Sequence, residues 1–322
     1  MSGVEGKSAS PELVTFGEGL LRLSPPAGER IETADELGFR VAGAESNVAI
    51  AAQRLGVDAT WLSKLPDSVL GDRVVSQIRQ HGVGLAVVRT GSGRQGTYYL
   101  EQGSQPRGTN VIYDRDHAAV TTATPEELDT AVVDEAALFY TTGITPALSE
   151  TLAETTSHLL EISDRVGFDL NYREKLWSPD RARRGYERLL PSVDLLFAPA
   201  RDARAVLGYA GDDETVAREL YSEYDFETVV LTRGSEGALA WTGEELLEQP
   251  VFETETVDPI GTGDAFVGGY LSRDLADGSV RQSLRYGAAT AALKRTISGD
   301  LAVVNERDVE SVLEDGAGGI DR

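Results

Sequence analysis

A regular alternation of short apolar runs with segments of helical spacing constrains the fold of this chain more than any other feature. It begins at about residue 118 and continues through the second half of the sequence. The predicted strands are 137–140, 166–170, 195–198 and 229–232, and the predicted helices are 147–162, 180–190, 201–207 and 213–222. Because predicted strands and helices alternate, the pattern favours an α/β fold with a parallel sheet flanked by helices.

The first half of the chain predicts a second, smaller sheet. Residues 13–16 form a short apolar run, as expected of a first buried strand of the main domain. Apolar and polar residues alternate within 18–42, which is typical of strands with one exposed face, and 93–117 contains two further strand-like pieces. We predict that these two segments form a small β lid.

The main domain is predicted to span 12–315. The polar segments 1–11 and 316–322 are predicted to be flexible termini. The first of them contains no apolar stretch that could serve as a signal peptide, and no later run approaches the length of a membrane span. We therefore expect a cytoplasmic protein.

The charge of the chain excludes several classes of partner. There are 30 basic and 53 acidic residues, which leave a formal charge of -23 that repels nucleic acid and anionic membranes. The acidic residues are spread over the whole sequence, which resembles the surface of a salt-adapted, haloarchaeal-like protein; an acidic mesophilic enzyme is the alternative. The absence of cysteine excludes disulfides and thiolate catalysis.

A candidate phosphate-binding turn lies at Gly261-Thr262-Gly263-Asp264, before a run of small and apolar residues with helical spacing. Peptide N–H groups at the start of a helix can converge on an anion, and glycine lets the backbone approach it closely. Asp264 would then lie beside the anion, where it could accept a hydroxyl proton during phosphoryl transfer. On these four residues alone, the alternative is a glycine turn in which Asp264 caps the helix.

Three segments, in order along the chain, resemble the PfkB, or ribokinase-like, carbohydrate kinases. Residues 258–266, DPIGTGDAF, resemble the family's C-terminal signature D-x-x-G-A/T-G-D-x-F. Residues 43–49, GAESNVA, resemble its N-terminal G-x-x-x-N-x-A, and 229–237, VVLTRGSEG, resemble its strand-turn-strand nucleotide segment. The resemblance covers nearly the whole chain.

This resemblance implies a ribokinase-like, Rossmann-type domain whose β lid closes over a sugar and often forms a dimer interface. It implies that Asp264 is the general base and that Gly261, Thr262 and Gly263 complete an anion hole. The residues that would border the nucleotide are Thr232, Gly234, Gly237, Gly261 and Gly263. The expected cofactors are ATP and Mg²⁺, with a need for K⁺ left open, and the expected assembly is a homo-oligomer formed through the lid.

A further resemblance concerns the sugar. Residues 169–177, DLNYREKLW, resemble the D-x-N-x-R-x-x-L-W segment of the 2-keto-3-deoxygluconate kinases. Arg173 would follow the carboxyl end of a strand, where open α/β sheets place their ligands. A guanidinium group there suits a substrate carboxylate, which it can bind through two hydrogen bonds.

The same resemblance implies further substrate-binding residues from the first helix, the lid and a turn near the C-terminus. They are Gly43, Asn47, Tyr98, Tyr113, Arg115 and Asp300. The alternatives are that each arginine is an ordinary surface residue and that the tyrosines only pack within the lid.

Two positions depart from the family pattern. Ribokinases and many fructokinases carry an aspartate where this chain has Arg22, which disfavours a neutral sugar. The family's P-N-x-x-E stretch appears as Pro199-Ala200-Arg201-Asp202, so its asparagine is missing and only Asp202 remains for the acid. No metal-binding residue is therefore assigned.

The sequence thus predicts ATP-dependent phosphorylation of 2-keto-3-deoxygluconate at its terminal hydroxyl, for a modified Entner–Doudoroff route. The same chemistry on fructose, ribose or a nucleoside is the nearest alternative, and a sugar-binding regulator without turnover is the other. The motifs do not separate the keto-acid from its C4 epimer.

Overall fold

The structure, a computed structural model, describes residues 10–103 and 106–315, which contain thirteen strands in two sheets. The strands are β1 (Leu13–Phe16), β2 (Leu20–Ser24), β3 (Gly38–Ala42), β4 (Ala59–Pro66), β5 (Gly84–Thr90), β6 (Thr97–Glu101), β7 (Asn110–Asp114), β8 (Leu138–Thr142), β9 (Val166–Asp169), β10 (Leu195–Pro199), β11 (Thr228–Thr232), β12 (Ala238–Trp241) and β13 (Leu246–Gln249).

The helices are α1 (Ala44–Arg54), α2 (Val69–Arg79), α3 (Ala131–Asp134), α4 (Ile144–Ala147), α5 (Glu150–Glu161), α6 (Pro179–Leu189), α7 (Ala200–Asp202), α8 (Asp213–Tyr224), α9 (Thr262–Leu275), α10 (Val280–Arg295) and α11 (Glu306–Asp315). Single helical turns lie at Ala119–Thr122, Leu190–Ser192, Ala203–Leu207 and Gly234–Glu236.

The main sheet of the described chain has nine strands in the order β13-β12-β11-β10-β9-β8-β1-β4-β5. All neighbouring pairs are parallel except the two that involve β12. The predicted α/β fold, with a helix-flanked parallel sheet, is confirmed. Because the parallel strands end at one edge, residues that follow β9, β10 and β11 are brought to the same side of the molecule.

The second sheet has the order β3-β2-β6-β7, and its four strands lie within the predicted lid segments 18–42 and 93–117. The domain bounds 12–315 stay a prediction. The predicted flexible termini lie outside the described residues, except for residues 10 and 11.

Two of the predicted helices are divided in the structure. The segment 147–162 contains the end of α4 and then α5, because Ser149 starts a new helix by accepting a hydrogen bond from the Leu152 amide at 3.0 Å. The segment 201–207 consists of the end of α7 followed by a π-type turn, Ala203–Leu207, which closes at Gly208 in the left-handed conformation.

Apolar layers fill both faces of the main sheet. On one face, α1, α2, α9 and α10 cover strand residues such as Leu13, Trp61 and Tyr140. On the other face, α5, α6 and α8 cover alternate strand residues such as Val14 and Phe168. Burial on both faces explains why these strands are continuous apolar runs rather than alternating ones.

Helices α1 and α9 approach each other closely, and this contact sets the position of the site. A Cβ atom added at Gly268 on α9 would lie 2.5 Å from Ala51 Cβ and 3.0 Å from the Val48 carbonyl oxygen. Residues on the first turns of both helices, Asn47 and Asp264, form a hydrogen bond across the same interface.

We therefore expect Gly268→Val to lower the free energy of unfolding by about 1–3 kcal/mol, because it overpacks this helix interface. Chemical denaturation monitored by circular dichroism measures the change. Gly91→Val is the control, since Gly91 has no atom within 4 Å of an added Cβ. Equal stability of the two variants would contradict the close packing.

Candidate active site

The 261–264 segment forms the tight turn that starts α9. Gly261 has φ 78°, a left-handed conformation that favours glycine, and a Cβ atom there would lie 2.0 Å from the Asp300 carbonyl oxygen. The amide of Thr262 donates to the Pro259 carbonyl at 3.3 Å. Within the described chain, the amides of Gly263 and Asp264 have no such backbone acceptor, so the turn leaves two N–H groups for an anion.

Asp264 is held in this turn by Asn47. The Asn47 side-chain amide donates to Asp264 Oδ2 at 2.7 Å. Burial raises the pKa of Asp264 to about 6, while the Asn47 hydrogen bond and the positive charges of Arg173 and Lys294 oppose the rise. A carboxylate with a pKa near 6 is ionised at neutral pH, yet basic enough to accept a proton.

The turn lies at the base of a cleft of about 380 Å³ between the main domain and the lid. Every residue predicted to bind substrate lines this cleft: Gly43, Asn47, Tyr98, Tyr113, Arg115, Arg173 and Asp300. The structure therefore brings together residues from five separate parts of the sequence.

A second cleft, of about 210 Å³, begins on the other side of the same turn. Predicted nucleotide residues Thr232, Gly234, Gly237 and Gly263 line it, whereas Gly261 lines only the first cleft. Its apolar walls come from Val251, Phe252, Phe266, Ala288, Ala291 and Ala292. The two clefts share Thr232, Thr262 and Gly263, so a molecule in each would meet at the turn.

Arg173 and Arg115 differ in their surroundings. Arg173 lies after β9 and donates to the carbonyls of Asn171 and Tyr172 at 3.3 and 3.1 Å, and it pairs with no carboxylate of the described chain. Arg115 forms a buried ion pair with Glu18, and both side chains are less than a tenth exposed. Arg173 is therefore available to an acidic ligand, whereas Arg115 already has an anionic partner.

The lid supplies two tyrosines that line the cleft. The rings of Tyr98 on β6 and Tyr113 on β7 are 6.1 Å apart, and the Arg115 guanidinium lies 5.1 Å above the Tyr113 ring. The Tyr98 hydroxyl also donates a hydrogen bond to Asp300 Oδ2, with the two oxygens 2.6 Å apart. The predicted lid residues thus contact one another and the loop after α10.

Asp300 belongs to a buried charge network that sequence reasoning missed. Arg22, on lid strand β2, pairs with Asp300 Oδ1 and with Asp258 Oδ2, and all three residues are 4% exposed or less. Asp258 Oδ1 accepts from the Ile260 amide, and its Oδ2 accepts from the Gly299 amide, each at 3.0 Å. Arg22 therefore neutralises two carboxylates next to the turn and does not itself line the cleft.

Besides Glu18, two carboxyl groups that were not among the predicted site residues line the cleft. Burial raises the pKa of Glu45 to about 7, although it accepts hydrogen bonds from the Thr142 and Thr145 hydroxyls at 2.7 and 2.9 Å. Burial also raises the pKa of Asp169 to about 7. Both lie inside the two quoted motifs, GAESNVA and DLNYREKLW, which is the signal that could have identified them.

Asp202 is the carboxylate that remains in the stretch resembling the family's P-N-x-x-E, one position before the place of the family's acid, where this chain has Ala203. Asp202 is 2% exposed; its Oδ1 accepts from Arg201 at 2.8 Å, and its Oδ2 has no hydrogen-bond donor in the described residues. A buried carboxylate oxygen without a partner fits the water shell of a hydrated Mg²⁺ ion. The part of the chain that the structure describes contains no cluster of three or more acidic or histidine ligands.

These two clefts meet at a helix start that carries a carboxylate, so the arrangement would allow a group to pass from a ligand in one cleft to a ligand in the other. The family model of the pfkB family carbohydrate kinases matches residues 10–306. The chain therefore belongs to the pfkB family of carbohydrate kinases.

Several individual members of the family are similar to this chain over most of its length. The chain is 63% identical over 315 residues to a 2-dehydro-3-deoxygalactonokinase of Haloferax volcanii, with 97% of this chain and 99% of the relative covered. It is 29% identical to a 2-dehydro-3-deoxygluconokinase of Thermoproteus tenax, with 97% of each chain covered. The crystal structure of a 2-dehydro-3-deoxygluconokinase from Thermotoga maritima has a TM-score of 0.85 and 31% identity, covering 93% of this chain and 97% of that one.

Among the helices that the structure describes, none combines the length and the apolar character of a membrane span.

We expect Arg22→Met to lower the free energy of unfolding by about 3–5 kcal/mol, because it leaves two buried carboxylates without a cation. The control is Arg281→Met, which removes the exposed Arg281–Glu245 ion pair and should cost less than about 1 kcal/mol. Urea denaturation of both variants measures the difference. Similar losses in the two proteins would show that Arg22 does not neutralise a buried site.

Proposed function

We propose that this chain transfers the γ-phosphoryl group of ATP to the terminal hydroxyl of a six-carbon 2-keto-3-deoxy sugar acid. The observation that carries the proposal is the junction of the two clefts at the 261–264 turn, with Asp264 beside it. The sugar acid occupies the cleft under the lid, and the nucleotide occupies the cleft bordered by Thr232 and Gly234.

In this mechanism Asp264 accepts the proton of the primary alcohol as the alcohol oxygen attacks the γ-phosphorus atom. The amides of Gly263 and Asp264 stabilise the charge that develops on the transferring group. Asp202, with its unpartnered carboxylate oxygen, would help to hold a Mg²⁺ ion, which would supply positive charge to the phosphates. Closure of the lid over the sugar excludes water, which otherwise competes as the acceptor.

The carboxylate of the sugar acid lies at Arg173 in this proposal. Arg173 lines the cleft and has no carboxylate partner within the described residues, so it supports an acidic rather than a neutral substrate. Arg115 adds positive charge, although Glu18 offsets it. Tyr98, Tyr113 and the Asp300 carboxylate would contact the remainder of the sugar.

The epimer is the finer question. The sequence prediction was 2-keto-3-deoxygluconate with its C4 epimer left open, whereas the 63% identical relative is named 2-dehydro-3-deoxygalactonokinase. Because the identity to this relative is 63%, against 29% for the Thermoproteus tenax 2-dehydro-3-deoxygluconokinase, we favour the galactonate epimer as the substrate.

Steady-state kinetics with both epimers, fructose and ribose would test the proposal. We expect a higher kcat/KM for the sugar acids than for the neutral sugars, with the galactonate form preferred. A preference for fructose or ribose would contradict it.

Asp264→Asn should lower kcat by roughly 100-fold or more, because it removes the proton acceptor. Binding of the sugar acid, measured by calorimetry, should change little, since the amide keeps the size of the side chain. Asp277→Asn, an equivalent change in an exposed turn after α9, is the control. Wild-type turnover in Asp264→Asn would exclude the base.

For the wild-type protein, kcat/KM should decrease as the pH falls through about 6, the value to which burial raises the pKa of Asp264. Below this pH the carboxyl group is protonated and cannot accept the substrate proton; above it, the carboxylate form is complete. A pH–rate profile between pH 5 and pH 9 measures the change. A rate that is constant down to pH 5 would contradict the role of Asp264.

Arg173→Ala should raise the KM for the sugar acid by about 10-fold or more while leaving the KM for ATP within about 2-fold, because a charge-assisted hydrogen bond contributes about 1.5–3 kcal/mol. Arg181→Ala, at an exposed position of α6, is the control. Equal changes in both KM values would mean that Arg173 does not bind the carboxylate.

A further inference from the structure

Lys294 is a completely buried lysine close to the turn that starts α9. It lies on α10, one residue before the end of that helix, and none of its surface is exposed. Lysine is almost never fully buried unless its charge has a partner, because removing an ammonium group from water is costly. The proposed mechanism does not use this residue.

The partners of Lys294 are backbone carbonyls. Its Nζ donates to the Asp258 carbonyl oxygen at 2.8 Å and to the Ile297 carbonyl oxygen at 3.4 Å. No carboxylate of the described chain lies within ion-pair distance of it. The burial of Lys294 is therefore not explained by an ion pair with a carboxylate of the described chain.

The hydrogen bond from Lys294 is one of several that hold Asp258 in place. The Asp258 amide donates to the Arg295 carbonyl at 3.1 Å, so adjacent residues of α10 hold both polar groups of the Asp258 backbone. The Asp258 carboxylate accepts from the amides of Ile260 and Gly299. Gly261 follows three positions later, so any shift of Asp258 is passed to the turn.

The charges around Lys294 come from four elements. They are the carboxylates of Asp258 before the turn, Asp264 on α9 and Asp300 after α10, and the guanidinium of Arg22 on β2. Burial lowers the pKa of Lys294, and the three carboxylates oppose that change. In return, the positive charge of Lys294 lowers the pKa of Asp264.

We propose that Lys294 is a positioning residue for phosphoryl transfer: its ammonium group fixes the backbone of Asp258, and thereby the anion-binding amides of the 261–264 turn, and adds positive charge beneath the junction of the two clefts. The inference rests on the proposed function. Lys294 does not line either cleft, so it acts through Asp258 and through its charge.

Lys64 provides a matched control because it is the other lysine that the described structure buries. It is 4% exposed and pairs with Glu127, with Nζ 2.7 Å from Oε2. It lies on β4 and lines neither cleft. A purely structural lysine should behave like Lys64 when it is replaced.

The test compares Lys294→Met, Lys294→Gln and Lys64→Met with the wild type. The readouts are kcat and KM for the sugar acid that the wild type phosphorylates, the pH dependence of kcat/KM, and the thermal unfolding midpoint. In Lys294→Met we expect kcat to fall by about 10-fold or more, since small displacements of a catalytic group are costly, with the sugar KM within about 3-fold. The acidic limb of the profile should move to higher pH by about 0.5–1 unit, because a cation near Asp264 is lost.

Lys294→Gln should recover part of kcat, because its amide can still donate a hydrogen bond, but it should keep the displaced acidic limb. Lys64→Met should lower the unfolding midpoint without moving the limb. The inference is wrong if folded Lys294→Met has the wild-type limb and a kcat within about 2-fold, or if Lys64→Met moves the limb equally. If Lys294→Met does not fold, an unmoved limb in Lys294→Gln contradicts the inference, and a displaced limb supports it. Failure of the wild type to phosphorylate any sugar would instead overturn the proposed function, and this inference with it.

Discussion

The buried carboxylate of Asp258 joins the three segments from which the site is built. Its two oxygens accept hydrogen bonds from Ile260 in the turn, Gly299 in the loop after α10 and Arg22 in the lid. The lid and the loop after α10 are also joined directly, because Arg22 pairs with Asp300 and Tyr98 donates a hydrogen bond to it. Asp258 connects the residues just before the 261–264 turn to both of these segments.

The arrangement of charge in the cleft follows from the same packing. Burial raises the pKa values of Glu45 and Asp169, and the nearby charge of Asp264 raises both further, in a chain that is already strongly acidic. Such a cleft repels an acidic ligand unless cations are placed within it. Arg173 is unpaired within the described residues and can supply that charge, which makes the loop after β9 the determinant of an acidic substrate in the proposed function.

Sequence patterns predicted the strands, the helices and the GTGD turn. They did not predict the ion pairs between residues that are far apart in the chain. The strand and helix alternation was sufficient for the sheet because burial on both faces leaves a continuous apolar run. The GTGD turn was recognisable because glycine and a helix start occur together. By contrast, Arg22 and Asp300 are separated by 278 positions and Arg115 and Glu18 by 97, and no periodicity reports which charges meet. Lys294 carried one signal, a charge within the apolar pattern of α10.

In the proposed function, one phosphoryl group passes from a nucleotide to a sugar acid at the junction of the two clefts. Phosphorus NMR of a reaction that contains ATP, Mg²⁺ and each keto-acid epimer tests it most directly. We expect sugar-dependent conversion of ATP to ADP, with a new phosphomonoester signal coupled to the protons of the terminal carbon. ATP consumption that does not depend on the sugar acid, or a phosphoryl group on another oxygen, would contradict this transfer.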